Sequence, residues 1–102
     1  MGTDKELAIL FADVVGSTQL YESLGDDAAR ETVLRCVDCM KAATLEFGGD
    51  VIKTMGDEVM STFPAANDAI SAACKMQKQI STGNFSGNDD VHVAIRIGCH
   101  YG

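Results

Sequence analysis

The stretch LAILFADVVGST, residues 7–18, narrows the possible folds more than any other part of the chain. Leu7 to Ala12 is a nearly unbroken apolar run, the pattern of a strand buried on both faces. Asp13 ends it, and a carboxylate at the tip of a buried strand is costly unless a positive group meets it. Gly16-Ser17-Thr18 follows, and a helical pattern begins there. A helix that starts from a strand through a glycine presents free backbone N–H groups and the positive end of its dipole. The stretch therefore sets a carboxylate for a cation beside a cradle for phosphate oxygens. A plainer reading also stands, in which Asp13 caps the turn and Ser17 or Thr18 caps the helix.

The 102 residues suffice for a single domain, 1–102, with a modest core. A hydrophobic share of 46% and a single proline mark a folded chain rather than a disordered one. No apolar segment is long enough to span a bilayer, and Met1 to Glu6 lacks a signal-peptide pattern, so a cytoplasmic domain is expected. The formal net charge of −7 argues against nonspecific attachment to nucleic acid or anionic lipid. An acidic protein that binds a nucleotide needs a divalent cation to do so. Cys36 and Cys39 form a CxxC pair inside a helical pattern, while Cys74 and Cys99 stand apart, which is a poor zinc framework. All four cysteines are expected to be reduced and mostly buried.

The rest of the chain alternates between the two periodicities. A first strand is expected over Leu7 to Val14, then a short helix from Ser17 to Leu24 stopped by Gly25. Asp26 or Asp27 should cap a longer helix whose inward stripe is Ala29, Val33, Val37, Met40, Thr44 and Phe47. Gly48-Gly49 ends it. Two strands, Val51–Met55 and Glu58–Phe63, flank Gly56-Asp57 as a hairpin. Pro64 precedes another helix with Ala66, Ala69 or Ile70, Ala73, Met76 or Gln77, and Ile80 inward. Thr82 to Asp90 reads as a loop. The last strand, Val91 to Cys99, alternates Val91, Val93, Ile95, Ile97 and Cys99 against His92, Ala94, Arg96 and Gly98.

The order β-α-β-β-α-β is the ferredoxin-like arrangement of the α+β class, a sandwich with helices on one face of an antiparallel sheet. Its first and third strands run side by side at the centre. The end of the first then lies beside the start of the third, which brings Asp13 and Asp57 to one edge. Two close carboxylates beside a phosphate-accepting helix start make a divalent-metal site, and without a cation they would repel. Either aspartate alone is as well explained as a turn residue.

FADVVGST at 11–18 and VIKTMGDEVMSTF at 51–63 resemble the catalytic domain of the class III adenylyl/guanylyl cyclases. PAANDAISAACKMQ and the closing VAIRIGCHYG look like the next helix and strand of that domain. The resemblance implies a nucleoside triphosphate substrate and a 3′,5′-cyclic nucleotide product, with release of pyrophosphate. It implies that Asp13 and Asp57 hold two Mg2+ or Mn2+ ions, with the Val14 carbonyl as a further ligand. Gly16, Ser17 and Thr18 match the triphosphate-contacting turn. Lys53 matches the base-reading lysine, and since guanine-selecting members usually carry Glu there, Lys53 favours ATP over GTP. It further implies a homodimer, in which one chain supplies the aspartates and the other the base reader.

Family members continue well beyond the last strand, into a second base-selecting residue, a transition-state Asn and Arg, and a phosphate-binding Lys. His92, Arg96 and His100 lie too early to match these. The expectation is therefore an N-terminal portion of a cyclase domain with little or no activity by itself. One alternative is a non-catalytic cyclase-like module that dimerises or holds a nucleotide. Another is a diguanylate cyclase, but Gly48-Gly49-Asp50 falls before the hairpin rather than in its turn.

Overall fold

The computed structural model describes residues 7–83, 85–87 and 91–101. The segment 1–6 and positions 84 and 88–90 of the expected loop lie outside the described residues, as does 102. The elements run β1 Ala8–Val15, α1 Ser17–Leu24, α2 Asp26–Glu46, β2 Asp50–Met55, β3 Glu58–Phe63, α3 Ala66–Thr82 and β4 Ala94–Tyr101. The sheet order is β2-β3-β1-β4, with every neighbouring pair antiparallel. This is the expected α+β sandwich, with β1 and β3 central. The helices α2 and α3 pack on each other and on one face of the sheet.

The core forms where the helix stripes meet alternate strand residues. Leu10, Ala12 and Val14 of β1, Val59 and Phe63 of β3, Met40 of α2 and Met76 of α3 are all buried. A buried hydrogen bond between Thr44 Oγ1 and Ser61 Oγ, 3.0 Å, ties α2 to β3. Thr44 Oγ1 also donates to the Met40 carbonyl at 2.9 Å, so this polar pair is satisfied inside the core.

Several local expectations need correction. β1 is not buried on both faces: Phe11 and Val15 are 40% and 47% exposed, because the helices cover only the opposite face. β4 begins at Ala94 rather than Val91 and runs on to Tyr101. The reason is register: Ala94 pairs with Val15, the last residue of β1, so no ladder partner remains for residues 91–93. On α3 the core takes Ala69 and Ala72, while Ile70 faces solvent. Thr82 belongs to that helix. Neither Ser17 nor Thr18 caps α1, and neither Asp26 nor Asp27 caps α2; glycines 16 and 25 occupy the two cap positions. Asp26 and Asp27 instead place negative charge in the first turn of α2, against its dipole. Only Cys36 among the four free thiols is fully buried; Cys74 and Cys99 are exposed. Burial, and secondarily the neighbouring Cys39, push the Cys36 thiol up to about 12, so it stays protonated.

Gly48-Gly49 ends α2 by two different constraints. Gly48 takes φ 77°, and the pair of bonds Gly49 N–H to Thr44 O (2.9 Å) and Gly48 N–H to Leu45 O (3.2 Å) forms a Schellman closure. Gly49 is needed for space: a Cβ there would lie 2.5 Å from the Phe63 ring. Gly49→Ala is therefore expected to destabilise the fold by about 1–3 kcal/mol through overpacking. Urea unfolding should show a lower midpoint at unchanged slope. A smaller loss from Gly49→Ala in the Phe63→Leu background than in the parent chain would assign the effect to that contact.

Candidate functional site

The site begins with one backbone bond. The Val14 N–H donates to the Asp57 carbonyl at 3.2 Å, one step beyond the Asp13–Glu58 pairing that ends the β1–β3 ladder. Residues distant in sequence are thereby neighbours at one end of the sheet. Asp57 sits in a two-residue turn with Gly56, whose φ of 58° suits the tight hairpin geometry. Both aspartates are half-buried, and their backbones meet at one end of the sheet, but only Asp57 lines the cavity at the helix start.

On the uncovered face of the sheet, Asp13 lies between two charged register partners. Glu58 is opposite on β3 and Arg96 is opposite on β4. Directly opposed side chains in an antiparallel pair are roughly 5 Å apart at Cβ, so Asp13 and Glu58 repel. Arg96 Nη2 donates to Asp13 Oδ2 at 3.1 Å and offsets that repulsion. Sequence reasoning set Arg96 aside, although strand alternation together with the central position of β1 could have put it beside Asp13. It likewise did not mark Glu58.

Gly16 turns the chain from β1 into α1. Its φ of 70° and ψ of 34° lie in the left-handed region, where a side chain would be strained. No side chain caps α1, so its first backbone N–H groups remain available to a ligand. Ser17, Gly56 and Asp57 line one cavity of about 340 Å3 beside this helix start. Thr18 is exposed and is not among the residues lining it, and Val14 is buried, so only its backbone is offered to the site.

Lys53 reaches the same face by regular pairing from the turn: Met55 with Glu58, Thr54 with Val59 and Lys53 with Met60. It stands in one row with Met60 and Phe11. Beyond it Val51 pairs with Ser61, so Ile52 is an extra residue in β2, a bulge that lets Val51 pack against the core. Lys53 and Asp13 lie two strands and one row apart, on the order of 12 Å between Cα atoms at standard sheet spacings. Among the described residues no group of three or more His, Cys, Asp or Glu side chains gathers as a ready-made metal cage. Two carboxylates and backbone oxygens suit a hard cation such as Mg2+, which keeps waters and shares ligands with phosphate.

The element order and sheet topology define a ferredoxin-like α+β domain with an acidic strand end. The sequence pattern of the adenylate and guanylate cyclase catalytic domain matches residues 1–102, and the chain belongs to that family. It is 31% identical over 99 residues to an adenylate cyclase of Streptomyces coelicolor, covering 97% of this chain and 24% of that protein. It is 33% identical over 70 residues to adenylate cyclase 2 of Rhizobium meliloti, covering 69% of this chain and 19% of that one. In three dimensions it is similar to the adenylyl cyclase CyaB of P. aeruginosa, with a TM-score of 0.84 and 26% identity over 96% of this chain and 56% of the other. The guanylate cyclase domain of RhGC from Catenaria anguillulae, solved with GTP, shares the fold at a TM-score of 0.80 and 18% identity over 96% of this chain and 57% of that domain. The chain thus spans little more than half of the solved domains and a quarter or less of these two sequence relatives.

The Arg96–Asp13 pair should matter little to the fold. Arg96 is 76% exposed, and exposed ion pairs contribute about 0–1 kcal/mol. Arg96→Ala is expected to unfold within about 1 kcal/mol of the parent chain in urea. A larger loss would give the pair a structural role at the sheet end.

Proposed function

We propose that the chain is the first part of a class III nucleotidyl cyclase domain that converts ATP, in preference to GTP, to the 3′,5′-cyclic nucleotide and pyrophosphate. The single observation that carries this reading is the Val14–Asp57 backbone bond, which joins the two family aspartates at one strand end. Asp13 and Asp57 hold the cations, with the Val14 carbonyl as a further oxygen. Divalent cations, when bound, supply activation of the ribose 3′-hydroxyl and neutralise the departing pyrophosphate. Gly16, Ser17 and Thr18 present the helix start to the triphosphate. Arg96 holds Asp13 neutralised in the absence of a cation and is exposed enough to turn to the phosphates once a cation takes its place.

The chain works as a homodimer in this reading. Phe11, Val15, Ile52 and Met55 are large apolar side chains exposed on β1 and β2, and Phe11, Val15 and Met55 lie on the sheet face away from the helices. A two-fold partner would cover that surface. Lys53 of one copy then reads the base of a nucleotide held by the aspartates of the other. No residue here matches the transition-state Asn and Arg of the family, so the 102 residues by themselves bind nucleotide and turn it over little. A second reading, a non-catalytic nucleotide-binding or dimerisation module, rests on that same lack of matches.

Calorimetric titration of the chain with ATP in Mg2+ tests the proposal. Binding is expected with Mg2+ and lost with chelator, with ATP tighter than GTP. Asp13→Asn and Asp57→Asn should each weaken it by roughly tenfold or more, since loss of even an outer partner of a metal site costs about that much. Cation-independent binding, or no effect of either substitution, would overturn the assignment. Robust cyclic nucleotide formation in Mn2+ and ATP would overturn the expected low turnover.

A further inference from the structure

The cavity at the helix start has a wall that the roles assigned above do not use. Besides Ser17 and Asp57 it is lined by Tyr21 of α1 and by Arg30 and Leu34 of α2. Its volume of about 340 Å3 is at the lower end of the usual range for small-ligand sites. Arg30 is the one positive group among its lining residues. The chain carries only 8 Lys and Arg against 15 Asp and Glu, yet Arg30 joins none of the ion pairs among the described residues. Arg35, on the same helix, is paired with Glu31. Arg30 therefore lines the cavity together with Asp57 of the turn and forms no salt bridge with it or with Asp26 and Asp27 earlier on its own helix.

Bound cations would occupy the Asp57 carboxylate, the one acidic side chain among the residues lining the cavity. What remains is an arginine fork, the Ser17 hydroxyl and the uncapped helix start around one space, the donor set that suits phosphate oxygens. We infer that Arg30 is an additional phosphate-binding residue of this chain, gripping the phosphate chain of the nucleotide from the α2 side of the cavity. This inference rests on the proposed nucleotide site and adds a specific contact to it.

The test is calorimetric titration of the 102-residue chain with Mg2+-ATP, Mg2+-AMP and Mg2+-pyrophosphate, alongside Mn2+ alone. Arg30→Gln is expected to weaken Mg2+-ATP and Mg2+-pyrophosphate by roughly ten- to 150-fold, the range for a charged hydrogen bond. AMP binding should change less, and Mn2+ alone should bind as before. Arg30→Lys should recover part of the loss, since a point charge still meets phosphate without the bidentate fork. Far-ultraviolet circular dichroism and thermal unfolding at parent values would exclude a folding defect in this exposed position. Equal ATP affinity in the parent chain and Arg30→Gln overturns this inference and leaves the aspartate site standing. Equal losses for ATP, AMP and Mn2+ also overturn it, because they describe a general change of shape. No nucleotide binding by the parent chain overturns the site and this contact together.

Discussion

Antiparallel pairing of β1 with β3 is the constraint on which the rest depends. Its register places Asp13 against Glu58, and the next backbone bond, Val14 to Asp57, carries the chain contact into the hairpin turn. A slip by one residue would exchange the two faces of β1. Leu10, Ala12 and Val14 would leave the core and Asp13 would enter it. The apolar alternation that buries one face thus also determines where the carboxylates stand. Core packing and site geometry are the same fact seen from two sides of one strand.

That strand end concentrates opposing demands. Glu58, Asp13 and Arg96 form one row across three strands, and the Asp57 backbone closes onto Val14 just beyond it. Such a row is poorly balanced by itself, since one guanidinium answers two carboxylates. Departures of this kind from balanced local rules are expected at functional or strained sites. The helix start at Gly16, uncapped by any side chain, faces the same region with the opposite polarity. The stability of the domain comes from elsewhere, from Phe63, Met40 and Met76 between the sheet and the helices.

Much of this was readable in the sequence because strong periodicity and glycine punctuation agreed. Element order, the central place of β1 and β3, and the meeting of residues 13 and 57 followed from pattern and topology. What was not readable depended on partners that periodicity does not show. The apolar run Leu7 to Ala12 looks doubly buried, but its second face is covered by nothing among the described residues, so Phe11 stays exposed. The start of β4 was misplaced because the end of its partner β1, not its own alternation, decides where pairing stops. Glycine took both helix caps where serine and aspartate were available, since the chain reverses there through conformations that favour glycine. Arg96 was passed over because it was weighed by its place along the chain rather than by the strand it lies against.

The extra residue in β2 is absorbed without moving its neighbours. Were Ile52 removed, Val51 would still lie against Ser61 and Lys53 against Met60, and the ladder would simply run unbroken. With Ile52 present, Val51 and Lys53 keep opposite faces although an even number of steps separates them. An insertion or deletion at this spot is therefore tolerated by the hairpin, and the lysine stays on the outer surface either way.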